Sequence, residues 1–179
     1  MREFNFTWRF PAPPVETFDV TTRDFEGLEK YIPNIASIRV RERADMEDGR
    51  VRFLLRFSGE GAIPSIARPV IRPDMVRWDE ELLCDRRNLN VAWSLRSSYF
   101  TEHFHCRGIT HFHENGNGTR IELNGRLNIT MNSLPGFPDA LVQRAVMVIE
   151  PFLVKIAELN LGKFYDACRL RLRDEKRGT

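Results

Sequence analysis

Three glutamates, Glu42, Glu80 and Glu102, occupy positions whose alternation with apolar neighbours points them to the buried face of a strand. A carboxyl group enclosed by apolar side chains resists ionisation, so its pKa rises. That suits it to acid–base work or to gripping a ligand hydroxyl. Glu80 is the leading catalytic candidate, because Trp78 and Leu82 flank it at the same parity. The plain alternative for each is a strand end or bulge from which the carboxylate reaches water or an arginine. Tyr31 and Tyr99 are further hydroxyl donors that nothing in the sequence places.

The four histidines, His103, His105, His111 and His113, all carry odd numbers on one strand. A His-x-His pair puts two imidazoles on one face, within reach of a shared metal. Parity argues against that use: Phe100, Phe104, Cys106 and Phe112 claim the other face as core, which turns the histidines to solvent. A bulge at Gly108 would swap the faces for one pair. With a turn at Asn117-Gly118, His113 would stand opposite Glu122 and His111 opposite Asn124. Cys84, Cys106 and Cys168 lack metal-type spacing and read as reduced core residues. No metal and no cofactor is expected, and no Ser-His-Asp or Cys-His arrangement stands out.

Arg39, Arg41, Arg43, Arg52 and Arg56 cluster on the outer face of one hairpin. No aromatic residues interleave for base stacking, so a solvated face is expected and no nucleic acid. The net charge of +2 over 179 residues gives no reason to invoke a polyanionic partner. Arginine outnumbers lysine 23 to 4, which reads as a compositional bias. Gly59-Glu60-Gly61 precedes no helix start and is a turn, not a phosphate loop. The first residues alternate instead of forming an apolar signal region, and no uncharged run approaches a membrane span. A cytoplasmic protein is expected.

The elements that must position these groups follow from periodicity. Phe4, Phe6, Trp8 and Phe10 alternate with polar residues as a first strand, ended by Pro11, Pro13 and Pro14. Two short helical pieces follow, Val15 to Val20 and Arg23 to Tyr31. Six more strands come next. In the first hairpin of these, a turn at Asp48-Gly49 pairs Arg41 with Arg56 and Ala44 with Phe53. Residues 58–74 form an unusually apolar connection carrying Ile63, Ile66, Val70 and Ile71, a candidate lid together with Leu134 and Phe137. From Asp139 to about Arg173 the spacing becomes helical, with Val142, Ala145, Ile149, Phe152, Ile156, Leu159 and Phe164 on one stripe. Such a helix is far longer than is usual in globular proteins. Pro151 within it predicts a kink, which either follows the curvature of the sheet or serves as a hinge. Residues 171–179 are expected to fray.

This order resembles the START-like superfamily, the helix-grip fold shared with birch-pollen-type allergens. The segment Phe10-Pro-Ala-Pro-Pro-Val-Glu-Thr-Phe, followed by Asp24-Phe-Glu-Gly-Leu-Glu-Lys-Tyr-Ile-Pro-Asn-Ile, is similar to that superfamily's N-terminal pattern. The resemblance implies an α+β helix-grip fold over residues 1–179 as one domain. It would comprise a seven-stranded curved antiparallel sheet, two short helices and a long C-terminal helix. It also implies a hydrophobic cavity between sheet and helix, used in relatives for lipids, sterols or polyketides.

From the residues themselves, Phe6, Trp8, Phe53, Phe57, Trp78, Trp93, Phe100, Phe104 and Phe112 point inward. They make a filled core if they interdigitate with the helix and a pocket if the helix stands off. The expected ligand-binding residues are Phe53, Phe57, Trp78, Glu80, Trp93, Phe104, Phe112, Phe152 and Ile156. The expected partner is an apolar small molecule, with transient membrane contact through the lid, in a monomer or homodimer. An enzyme resembling the superfamily's aromatase/cyclase members is the alternative, and an interaction protein with a filled core is the third reading.

Overall fold

Strict alternation of aromatic and polar residues builds β1 (Arg2–Phe10), and Pro14 at the first helical position starts α1 (Pro14–Thr21). Then come β2 (Ile35–Asp45), β3 (Val51–Gly59), β4 (Arg77–Asp85), β5 (Asn90–Ser97), β6 (Phe104–Asn115) and β7 (Gly118–Ile129). The chain closes with α2 (Asp139–Arg177), a helix of 39 residues. The computed structural model describes residues 1–60, 63–65, 67–69, 71–99 and 101–178. The expectations for Gly61, Ile66, Val70 and Phe100 therefore lie outside the described residues.

The seven strands form one antiparallel sheet in the order β1-β7-β6-β5-β4-β3-β2. One face collects Phe53, Leu55, Leu82, Trp93, Phe112 and Leu123, all buried. Fully burying side chains of this size contributes about 1.5–3 kcal/mol each, so this face sets the sheet's orientation. One end of the grip is plugged by α1 and the segment after it. Phe18 packs edge-on against Phe112 at 5.4 Å, and Phe25 against Phe53 at 5.2 Å. The buried Thr119 hydroxyl donates to the Ala12 carbonyl at 2.7 Å and lies 2.9 Å from the Thr17 hydroxyl, which ties α1 to β7. Only Glu29–Tyr31 of the second expected helix is helical, as a single 3₁₀ turn, because Gly27 turns the chain at a φ of +82°.

The polar end of α2 is helical. Helix continues to Arg177, Leu172 is buried, and Arg171 donates to the Asp24 carbonyl at 2.7 Å. Lys176 meets Glu16 of α1 at 2.8 Å. The helix also runs on through Pro151 as one segment, although the proline withholds the N–H that Met147's carbonyl would accept.

Two turns differ from expectation. The β2–β3 connection spans Met46 to Arg50, with the Gly49 N–H donating to the Met46 carbonyl. A register shift between Val40 and Glu42 then puts Arg39 opposite Arg56 and Ala44 opposite Arg52. Between β6 and β7 the turn is Gly116-Asn117, so His111 faces Glu122 and His113 faces Arg120. Register across Gly108 is continuous, so no bulge swaps the faces there.

Gly108 and Gly125 stand opposite each other beneath the Trp93 and Phe4 rings. A Cβ on Gly108 would fall 2.2 Å from the Asn124 carbonyl oxygen and 2.4 Å from Trp93. Backbone cannot yield as a side-chain tip can. Gly108→Ala is therefore expected to cost at least about 2 kcal/mol, read as a lowered urea midpoint at unchanged slope.

Candidate ligand cavity

At the end of the grip opposite α1, α2 meets the sheet at Ile129 and stands off from it elsewhere. A cavity of about 300 Å³ lies between them, bounded on its third side by Ile63, Pro64, Ile71, Pro73, Met75 and Val76. The helix contributes the stripe Val142, Ala145, Ile149, Phe152, Ile156 and Asn160, each three or four residues from the next. Asn160 replaces Leu159, which is 45% exposed. The sheet contributes Trp78, Leu95, Phe104, Cys106, Leu127 and Ile129. The connecting segment adds Ile63 and Ile71, which pack with Ala145, Ile149 and Leu153 as a satellite cluster with fully buried Ala67. Of the residues expected as a lid, Ile63 and Ile71 line the cavity, and Leu134 and Phe137 do not. The Glu150 carboxylate accepts from the Ile129 N–H at 3.2 Å and ties the helix to the end of β7. A larger depression of about 980 Å³ on the outer face, near Leu83, Ala92 and Ile109, is an open dish.

Of the expected ligand-binding residues, Trp78, Phe104, Phe152 and Ile156 line the cavity. Phe53 and Phe112 stand in the packed core at the plugged end instead. Trp93 lies over the glycine pair, 6.3 Å from Phe4. Phe57 stacks flat on Trp78 at 5.1 Å and so backs the wall without forming it. Leu95, Leu127 and Ile129 are wall residues absent from the expected set. Their parity is the signal that could have found them, and their modest size beside the aromatics hides it.

The three glutamates separate cleanly. Glu42 turns to the outer face at the β2 register shift and pairs with Arg52. Glu102 lies exposed in the turn before β6. Glu80 alone stays inside, in one transverse row with Leu55, Leu95, Cys106 and Leu127. It is enclosed by protein, and, although expected as a ligand-binding residue, it is not among the residues that line the cavity. Burial raises its pKa from the ordinary 4.5 to about 7. The Trp78 indole, next along the same face, opposes this by favouring the charged form. The approach falls short of a well-formed bond, since Trp78 Nε1 is buried without a partner among the described residues.

Two further groups feel the Glu80 charge. The Cys106 thiol is pushed up to about 12 by burial and then by Glu80. The buried Tyr165 hydroxyl, on α2, is raised by burial, Cys168 and Glu80. A thiol held this protonated is a poor nucleophile. Tyr31 and Tyr99 are exposed.

The histidines lie on or before the outer face of β6, with His111 and His113 stacked at 5.7 Å. Among the described residues no group of three or more His, Cys, Asp or Glu could hold a metal ion. Arg56 grips Asp79 through two bonds of 2.7 and 2.8 Å and holds that carboxyl below its usual value. Arg43 bonds Asp45, and Arg39 lies 3.9 Å from Glu29. Exposed pairs of this kind add little stability. Among the described residues no helix is long and apolar enough to cross a membrane.

No family model matches the sequence, and no curated protein does. Solved structures do match. The ZhuI aromatase/cyclase from Streptomyces sp. R1128 superposes with a TM-score of 0.69 at 14% identity, over 96% of this chain and 95% of that one. A protein of Thermus thermophilus gives 0.66 at 21% identity, over 93% and 97%. Norcoclaurine synthase from Thalictrum flavum gives 0.56 at 15% identity, over 96% and 86%. At these identities the likeness speaks to architecture alone, and the chain has a helix-grip α+β fold.

Proposed function

We propose that the protein binds a hydrophobic small molecule, such as a lipid, a sterol-like compound or a polyketide, in the space beneath the first half of α2. The observation that carries this reading is the cavity of about 300 Å³, whose walls are almost wholly aliphatic and aromatic. Ligand pockets run from about 300 to 1,000 Å³, so this one suits the smaller members of those classes. The protein works in the cytoplasm as a monomer or homodimer. Transient membrane contact would use Met147 and Val148, exposed near the cavity end of α2.

The test is a titration with N-phenyl-1-naphthylamine, followed by native mass spectrometry of gently purified protein. Saturable binding at one site, or a retained apolar ligand, is the expected result. Failure of this dye and of a lipid panel to bind would leave the cavity without a role. The second reading, an enzyme similar to the aromatase/cyclases, is favoured by Glu80, whose pKa of about 7 suits proton transfer at neutral pH. Loss of turnover without loss of binding in Glu80→Gln would distinguish it from a simple carrier.

A further inference from the structure

A pair of asparagines interrupts the apolar lining of the cavity. Along the inner stripe of α2, Val142, Ala145, Ile149, Phe152 and Ile156 are apolar, and the next residue on the stripe is Asn160. It is the last residue of α2 in the lining; beyond it Tyr165, Cys168 and Leu172 are packed core. Asn34, the residue before β2, meets it from the other side. Its backbone lies in the left-handed region at a φ of +67°, which asparagine tolerates better than most side chains. The Asn34 Nδ2 donates to the Asn160 Oδ1 at 3.4 Å, longer than a well-made bond of this kind. An amide offers two donor hydrogens and two acceptor lone pairs. Among the described residues this long contact is the one bond these two side chains make, so the Asn34 Oδ1 still accepts and the Asn160 Nδ2 still donates. Both residues are half-buried and line the cavity.

We propose that Asn34 and Asn160 are the recognition site for the polar head of an otherwise apolar ligand, and that this head is neutral and both donates and accepts: a carboxamide or a hydroxyl. Its hydrogen is donated to the Asn34 Oδ1, and its oxygen accepts from the Asn160 Nδ2. The inference rests on the cavity-binding reading and adds the chemistry of the ligand's head group. Such a head replaces one long contact by two good bonds at the inner end of the helix stripe. An ammonium has no acceptor for Asn160, and an ester has no donor for Asn34. An anionic head is opposed by Glu60, which also lines the cavity and whose N–H donates to the Asn34 carbonyl at 2.9 Å. Arg77, a cation in the same lining, is engaged by Asp74, whose carboxyl it helps to hold below its usual value.

The experiment measures displacement of N-phenyl-1-naphthylamine from the full chain by octanamide, 1-octanol, octanoate and ethylbenzene, which carries no polar group. Two variants are compared with the wild type. Asn160→Leu continues the apolar stripe of α2, and Asn34→Gly keeps the left-handed backbone, so one variant remains informative if the other fails to fold. Each should weaken octanamide and 1-octanol at least about fivefold, the loss of one hydrogen bond, and leave ethylbenzene within about twofold. Wild-type protein should bind octanoate more weakly than octanamide. Loss confined to octanamide or to 1-octanol supports the site and names its head group. Unchanged affinity for both in the variants, with ethylbenzene still bound, overturns the asparagine site and leaves the cavity reading standing. Tighter binding of octanoate than of octanamide overturns the neutral head. Failure of the dye and of ethylbenzene to bind the wild type overturns the cavity reading, and this inference with it.

Discussion

Glu80→Gln is expected to unfold later than the wild type at pH 8, by about 2–3 kcal/mol, and at nearly the same point below pH 4.5. Burial raises the folded-state pKa of Glu80 to about 7 from 4.5, so between these values the folded protein holds a proton that the unfolded chain has released. Stability then falls as pH rises, because the unfolded state binds fewer protons. The full contribution is present below pH 4.5 and is gone once the pH has risen through 7. A shift of this size corresponds to about 3 kcal/mol at most, or about 6–9 °C in Tm for a chain of this length. The groups facing Glu80 are Trp78 on its own strand, Cys106 on β6 and Tyr165 on α2, and none brings a positive charge. Asp48, Asp74, Asp79 and Asp85, whose pKa values are lowered, give the opposite slope at acid pH. They are common to both proteins and cancel in the difference. Thermal unfolding of the two proteins from pH 4 to 8.5 is the measurement. Curves that run parallel across the whole range would show that Glu80 reaches bulk water.

Ala157→Phe is expected to abolish uptake of apolar ligands while leaving stability within about 1–2 kcal/mol. Ala157 faces the cavity from α2 and is half-buried, so the added ring enters empty space and does not press on packed core. The same enlargement at fully packed Ala167, on the far half of the helix, would meet close-packed neighbours and be resisted. Dye titration should show binding weakened at least about tenfold, with a urea midpoint close to that of the wild type. Unchanged binding would place the ligand elsewhere, and the outer-face dish near Leu83 and Ile109 would be the next place to look.

The parity of the strands was readable because a strand's side chains alternate with period two. Trp78, Glu80 and Leu82 therefore share a face whatever their partner strand does. A turn misplaced by one residue moved the β6–β7 register by two, and parity survived: the histidines stayed outside. At β2 the outcome was different. One extra residue near Arg41 reversed the faces beyond it, sending Glu42 out to Arg52 and bringing Arg43 over the Phe53 ring at 5.9 Å. Nothing local in the run Arg39-Val-Arg-Glu-Arg marks that bulge, because polar residues occupy both faces there.

By itself, then, the sequence determined that a curved antiparallel sheet holds one over-long amphipathic helix, and that a glutamate at position 80 lies on the side facing that helix. Both follow from periodicity, which is a local property of the chain. Tertiary structure alone decided which end of the grip is full and which is hollow. Phe18 and Phe25 fill one end, so Phe53 and Phe112 on the sheet became core. Leu95, Leu127 and Ile129 joined Trp78 and Phe104 as cavity wall. Whether facing surfaces touch depends on the summed volumes of side chains brought together from distant parts of the chain, and no spacing along the chain encodes that sum.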